Sequence, residues 1–284
     1  MQESETDRHI AEMAVAVAQS IAIPGDVIRS VEEHVRLATY AAEQGARLVL
    51  FPELSVTGYS RRLARSDAIA ASDPRLHALQ RLADARDTLI IAGAPVESSA
   101  GLHIGALCFV PQRGTATYTK RFLHQGEEIA FAPGTGGDML KVDDRNVCVA
   151  ICAEITHPRH VREAAERGAD IYAASCLITP GGYQYDASVL QGYSREHRMP
   201  VLMANYGAST SEWPSAGRSA IWSSDGAQLA LAPAHGEAVI VAKLAFASKP
   251  HSAPNTAFEG ARSGQCASEP QRQAASPRSG RQQV

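Results

Sequence analysis

Three side chains able to run acyl-transfer chemistry stand just past apolar runs of this chain. Glu53 follows LVLF in RLVLFPELSVTGYS, Lys120 closes an alternating run in TATYTKRFLHQGEE, and Cys152 ends VCVAI in NVCVAICAEITHP. A cysteine that attacks a carbonyl needs a base for its proton. It also needs a cation or backbone amides to hold the oxyanion that forms. Glutamate, lysine and cysteine supply base, electrostatic stabiliser and nucleophile. Taken singly, each has a plainer explanation: a solvated loop carboxylate, a lysine guarding an edge strand, or a small apolar thiol in a core. Taken together they carry more weight, because each follows an apparent strand, and the carboxyl ends of strands are where α/β sites form.

The elements that must position them read as strands and helices in alternation. Met13–Gln19 is apolar and alternating, which predicts a strand. Residues 25–44 carry Val27, Ile28, Val31, Val35, Leu37, Ala38 and Ala41 near helical spacing, with Gly45 as a stop, which predicts an amphipathic helix. Leu48–Phe51 is a buried strand, Leu76–Ala85 a helix and Thr88–Ala94 a strand. Leu102–Val110 and Thr115–Thr119 pair around the turn at 111–114. Asn146–Ile151 is a strand, Pro158–Arg167 a helix and Ala169–Ala174 a strand. Ala187–His197 is a helix and Val201–Ala204 a strand, and strands at 219–223, 228–230 and 238–244 complete the pattern. Alternation, hairpins, alternation and hairpins again imply an α/β protein with helices outside sheets, built as two similar halves.

Composition narrows the partners. The chain has 284 residues, 45% hydrophobic and 20% charged, as an ordinary globular protein does. A formal net charge of −3 leaves no basic footprint for nucleic acid. Five cysteines make an odd number without the spacing of a disulfide framework. Cys148 and Cys152 would lie about 13 Å apart along a strand, too far to bridge. No second Cys or His pair follows at zinc spacing, so no metal site is expected. The apolar stretch AEMAVAVAQSIAIP follows an acidic, mixed segment and is too short to span a bilayer, so it reads as a buried first strand. A reduced cytoplasmic protein with no membrane partner is the expectation. From Ser248 onward the composition turns to Ser, Pro, Gln, Gly and Arg, with five basic residues against two acidic ones. Such a segment buries too little to offset its ordering entropy, which predicts a disordered tail over 248–284.

Phe51-Pro52-Glu53-Leu54-Ser55-Val56-Thr57-Gly58-Tyr59, Tyr118-Thr119-Lys120 and Val149-Ala150-Ile151-Cys152-Ala153-Glu154 resemble, in order and interval, the three signature blocks of the nitrilase superfamily, the carbon–nitrogen hydrolases. Phe131-Ala132-Pro133-Gly134, Gly168-Ala169-Asp170, Ala204-Asn205 and Gly217-Arg218-Ser219 extend the likeness. The resemblance implies a hydrolase domain over residues 1–247, folded as a four-layer αββα sandwich. It implies pairing with a second copy to give αββα–αββα, hence a homodimer or higher homo-oligomer. The implied reaction is hydrolysis of a non-peptide C–N bond through a thioester, with a small amide and water as partners and no cofactor. By the same resemblance Glu53 is the general base and Cys152 the nucleophile. Lys120 and the backbone N–H of Ala153 hold the oxyanion. A second glutamate before Phe131-Ala132-Pro133-Gly134 positions the lysine or the substrate; Glu127, six residues before Pro133, fits the family spacing best, with Glu128 the alternative. Charge near the thiol cuts both ways: Lys120 favours the thiolate and the carboxylates oppose it, so the thiol is expected to stay protonated until substrate binds.

Beyond the cysteine the chain departs from the family pattern. Many relatives carry an arginine where Thr156 stands and an aromatic where His157 stands, so Glu154 lacks its usual ionic partner or finds another. Tyr59, Glu154, His157 and Cys176 are candidates to line the substrate site. Tyr183 and Tyr185, in a Gly-rich stretch, could cover it. Asn205 is read as holding local backbone and Arg218 as structural. The leading expectation is an amidase or N-carbamoyl amidohydrolase releasing ammonia. The alternatives are nitrile hydrolysis, a thiol redox sensor at Cys152, and a non-catalytic binding protein that kept the fold.

Overall fold

The computed structural model describes residues 10–247, so the expected tail over 248–284 lies outside the described residues. The first sheet has six strands in the order β12-β1-β2-β3-β4-β5. Its members are β1 (Ile10–Gln19), β2 (Leu48–Leu50), β3 (Leu89–Ser98), β4 (Gly101–Val110), β5 (Gly114–Thr119) and β12 (Ala238–Ala247). The second sheet, also of six strands, runs β11-β10-β9-β8-β7-β6. It contains β6 (Leu140–Val142), β7 (Arg145–Ile151), β8 (Ile171–Ser175), β9 (Val201–Ala204), β10 (Ala220–Trp222) and β11 (Gln228–Leu231). Each sheet has a parallel centre and antiparallel flanks: β1, β2 and β3 run parallel, as do β7, β8 and β9, while the remaining neighbours are antiparallel.

Four helices cover the outer faces: α1 (Val27–Glu43), α2 (His77–Arg86), α3 (Pro158–Glu166) and α4 (Tyr183–Glu196). The side chains sort into three apolar layers. Val15, Val17, Leu48, Leu50, Ile104, Val149, Ile151, Ala173 and Leu202 fill the space between the sheets. Alternate residues of the first sheet, such as Val49, Ile90 and Leu107, pack with Val31, Leu37 and Ala41 of α1 and Leu79 and Ala83 of α2. Cys148, Ala150, Tyr172 and Met203 face Val161 and Leu190 of α3 and α4 on the other side. Strands buried on both faces read as continuous apolar runs, which is why LVL and VCVAI lack a polar alternate. The result is the expected αββα order. Helix α1 starts where Asp26 accepts the N–H of Arg29 at 3.0 Å, a cap worth about 1 kcal/mol.

Most boundaries fall within a few residues of the sequence expectation. Two differ in ways that bear on function. The short strand β6 carries no long apolar run and was not expected. Helix α4 begins at Tyr183, four residues before the expected start at Ala187. Tyr183 and Tyr185 therefore sit in its first turn rather than in a covering loop. Tyr183 donates to the carbonyl of Arg218 at 3.0 Å, and Tyr185 points to solvent.

Candidate active site

The site forms where β2, β5 and β7 each release the chain. Phe51 still donates to the sheet through Ile91 O at 2.9 Å, and Pro52 then ends the ladder. The turn that follows carries Glu53 and a positive φ of 52° at Leu54. It lies against Gly93 of β3. A Cβ on Gly93 would stand 2.2 Å from Leu54 N and 2.5 Å from Pro52 O, so only glycine lets the Glu53 turn pack there. Two bonds from the second sheet fix the same turn: Tyr206 donates to Glu53 O at 2.5 Å and Ser175 to Phe51 O at 2.7 Å.

Lys120 leaves β5 with its N–H on Ile104 O at 2.8 Å. Its side chain is fully buried, which for an ammonium requires compensation. Two carboxylates supply it. Lys120 Nζ donates to Glu53 Oε1 at 2.7 Å and to both oxygens of Glu127, at 2.9 and 2.8 Å. Glu127 also accepts the Tyr59 hydroxyl at 3.0 Å and the N–H of His124 at 2.7 Å. Glu128 instead turns back to Gly126 N and is exposed, so Glu127 is the glutamate that joins the lysine.

Cys152 begins a 3-10 turn spanning Cys152–Thr156 and adopts φ 44°, a left-handed conformation rare for a residue with a side chain. Such strain persists only where the surroundings impose it, and it is common at functional sites. The imposing group is Glu154. Its carboxylate accepts Ile151 N at 2.8 Å and Arg121 N at 2.7 Å, tying the residue before the cysteine to the residue after the lysine. Ala153 is the second residue of the turn, where backbone N–H groups have no partner within the turn itself.

Electrostatics set the resting proton positions. Burial pushes the Glu53 carboxyl up to about 7, with the Lys120 charge opposing and the Glu127 charge adding to the rise. Burial also lifts the Cys152 thiol well above its usual range, helped by the Glu53 charge and opposed by Lys120. Burial works against the Lys120 ammonium, yet the charges of Glu53, Cys152 and Glu127 outweigh it and keep the lysine protonated. Both burial and the Glu53 charge favour the protonated thiol at rest, with Lys120 opposing. Among the described residues, no protein group donates to Glu53 Oε2.

Glu53, Tyr59, Glu127 and Cys152 line a cavity of about 160 Å³ together with His124, Leu177, Thr179 and Trp213, with Lys120 buried behind the two carboxylates. A larger surface trough, of about 850 Å³, is lined by Arg65, Ser98, His103 and Thr117 among others and contains no cysteine. Several expected wall residues are elsewhere. Glu154 is fully buried behind the cysteine and bonded to Tyr118 Oη, so it is not a substrate contact. Its missing arginine partner is replaced by Tyr118 and by His160, whose ring nitrogen lies 2.8 Å from the same hydroxyl. His157 stacks on Phe122 at 4.4 Å and donates to Ala153 O at 2.9 Å, away from the cavity. Cys176 is wholly buried in the layer under α3 and α4. Tyr59 alone of those four lines the cavity. Asn205 does hold backbone, bonding Ile178 N and O and Gly217 O. Sequence reasoning missed His124, Leu177, Thr179 and Trp213. One available signal was that Trp213, one of two tryptophans, sits in an otherwise polar loop.

Comparison with known proteins gives the family and the fold. A family model described as carbon-nitrogen hydrolase matches residues 14–248. A Pseudomonas protegens protein named "Hydrolase in pqqF 5'region" is 26% identical over 239 residues, 82% of each chain. A Pyrococcus abyssi protein named nitrilase is 33% identical over 144 residues, which is 49% of this chain and 55% of that one. Among solved structures, an amidase from Nesterenkonia sp. superposes with a TM-score of 0.74 at 24% identity, covering 82% of this chain and 90% of its own. A cysteine-to-alanine mutant of an amidase from Nesterenkonia sp. AN1 has been solved in complex with butyramide, with the same TM-score, identity and coverage. A family match over most of the chain, on a sandwich whose strand ends gather a thiol, a lysine and two carboxylates, makes this protein a member of the carbon–nitrogen hydrolase family, in the nitrilase superfamily.

Proposed function

We propose that the protein hydrolyses the C–N bond of a small, uncharged carboxamide and releases ammonia. One observation carries the reading: a fully buried ammonium shared by two carboxylates stands beside a partly exposed cysteine held at positive φ. A structural role explains none of this. Buried ion clusters cost desolvation, and replacing them with apolar groups is often neutral or stabilising.

In this scheme Glu53 takes the thiol proton as Cys152 Sγ adds to the carbonyl carbon. The C=O pair moves to oxygen, and Lys120 and the Ala153 N–H hold the oxyanion. Collapse breaks the C–N bond, and the nitrogen leaves as ammonia with the proton from Glu53. Water then gives a proton to Glu53 and attacks the thioester. Carboxylic acid departs and the thiol regains its proton. A carboxyl titrating at about 7 suits a group that must both take and return a proton near neutrality. Thiol ionisation lies higher, so proton transfer to Glu53 accompanies attack rather than preceding it.

The cavity argues for an uncharged acyl group. Lys120 is already satisfied by two carboxylates, which leaves His124 as the basic side chain among the described residues of the wall. A substrate carboxylate would enter against Glu53 and Glu127. This places N-carbamoyl amino acids below simple amides. Nitrile hydrolysis is a second reading, favoured by the match to the Pyrococcus abyssi nitrilase.

The test is ammonia release from short amides, glutamine, N-carbamoyl amino acids and nitriles, with Cys152→Ala alongside. Turnover of short amides that disappears in the variant supports the reading. Preference for nitriles moves the protein to the second one. No turnover and no acyl adduct on Cys152 by intact mass leaves a binding protein that retains the fold.

A further inference from the structure

Trp213 is an apolar wall of the cavity and comes from the long loop between β9 and β10. The loop closes on itself: Thr210 N donates to Trp213 O at 2.9 Å, and Thr210 Oγ1 accepts Trp213 N at 3.1 Å. Beside Trp213 it is held against the neighbouring wall segment by Arg61 and Ser60, both outside the cavity. The Arg61 guanidinium lies 5.2 Å over the Trp213 ring. Glu212, the neighbour of Trp213, receives three bonds from the adjoining segment: Arg61 Nε at 3.0 Å, Arg61 N at 2.9 Å and Ser60 Oγ at 2.7 Å.

Arg61 also abuts the turn that carries the second glutamate. Gly126 has φ 91°, and a Cβ there would meet Arg61 Nη1 at 2.8 Å. Arg61 thus touches the segments that supply Tyr59, His124, Glu127 and Trp213 to the cavity wall, without lining the cavity itself. Its planar fork is suited to this: it binds a carboxylate edge-on while its face stacks on an aromatic ring.

We propose that the Arg61–Glu212 clamp sets the longest acyl chain the site accepts, by holding Trp213 as its end wall. The proposal rests on the amide-hydrolase reading and deepens it to a substrate class. A cavity of about 150 Å³ holds one benzene-sized molecule, and this one is about 160 Å³. The preferred substrates are therefore aliphatic amides of about six heavy atoms or fewer, such as butyramide. Trp213 determines specificity by contact, and Arg61 is a positioning residue acting through it.

The experiment compares kcat/KM for acetamide, butyramide and hexanamide in the full-length enzyme. Wild type should discriminate against hexanamide by at least about tenfold, the scale of one methylene that a pocket cannot accommodate. Trp213→Ala should raise the hexanamide-to-butyramide ratio by about tenfold or more, and Trp213→Phe by less. Arg61→Ala should raise the same ratio by several-fold, mainly through a lower KM for hexanamide, and Arg61→Lys should restore it only in part. Thermal melts of each variant establish that it is folded. An Arg61→Ala enzyme that loses all three amides equally overturns the clamp, since a merely structural residue would not change the ratio. A ratio unmoved by either Trp213 variant overturns the end wall. Wild type that turns over no amide and forms no acyl adduct on Cys152 removes the underlying reading as well, so the two failures are distinct.

Discussion

Lys120 Nζ stands 2.7 Å from Glu53 Oε1, and neither side chain has any exposure to solvent. A second carboxylate, Glu127, shares the same ammonium at 2.8 Å. With the carboxylates ionised, the cluster carries one buried negative charge in excess. That excess helps raise Glu53 to about 7 and gives two similar-looking glutamates different roles.

Neutralising the two glutamates should therefore have opposite effects on stability. Glu53 accepts a single bond from Lys120, so Glu53→Gln removes the excess charge and leaves the lysine paired with Glu127. We expect a Tm raised by about 2–4 °C, which corresponds to about 1 kcal/mol in a domain of this size, with amide turnover abolished. Glu127 accepts from Tyr59, from His124 N and twice from Lys120. An amide in its place turns a donor toward donors, at about 1–3 kcal/mol per buried group left unpaired. Calorimetry on the pair should show Glu127→Gln melting well below wild type. Equal Tm changes would mean that charge and hydrogen bonding are not partitioned this way.

The pH dependence follows from the direction of the Glu53 shift. Below about 7 the carboxyl holds its proton and cannot take another from Cys152. We expect kcat/KM on a neutral amide to fall about tenfold per pH unit below that point. The stability sign is the reverse. A carboxyl raised from 4.5 to about 7 binds its proton more tightly when folded, so its contribution is full below 4.5 and is lost as pH rises through 7. A rate that stays flat down to pH 5 would remove Glu53 from the role of base.

Glu154 should matter for rate although it cannot touch substrate. Its two oxygens bind Ile151 N and Arg121 N, so one carboxylate couples the cysteine turn to the lysine strand end. Glu154→Gln keeps the size but offers one acceptor oxygen instead of two. The expected result is a loss of kcat of about 10- to 100-fold with little change in KM, since a misplaced nucleophile costs about that much. Rapid kinetics on a short amide would show it. A change confined to KM would argue for a substrate contact instead.

Gly93 is the backbone test. A methyl group there would stand 2.2 Å from Leu54 N and 2.7 Å from the carbonyl carbon of Glu53. Gly93→Ala should displace the Glu53 turn and cost about 1–3 kcal/mol, as overpacking does. Turnover should fall together with Tm. Full activity in a stable Gly93→Ala protein would show that the turn tolerates the shift.

The chain alone determined the layers and the catalytic candidates, because both follow from local pattern. An apolar run buried on both faces reads as a strand wherever it lies, and Glu53, Lys120 and Cys152 each mark the point where such a run stops. Glu127 was within reach through the resemblance, because it lies six residues before Pro133 of the family-like stretch. Spacing favoured Glu127 over Glu128, and tertiary structure shows why: the turn at Gly126 aims Glu127 at Lys120 and Glu128 back at Gly126 N. Tertiary structure also found the partners of Glu154. Tyr118 lies 36 residues from Glu154 and 42 from His160, and no periodicity links a strand of the first sheet to the turn and helix that follow a strand of the second. His157 and Cys176 sit next to or near the catalytic segment in sequence yet face a stacked ring and a core layer. The other residues that line the cavity, Leu177, Thr179, Trp213 and His124, come from separate segments whose course depends on side-chain packing such as Arg61 on Trp213. Strand ends are legible because burial is a local demand; a cavity is not, because its shape is the sum of loops that meet only after folding.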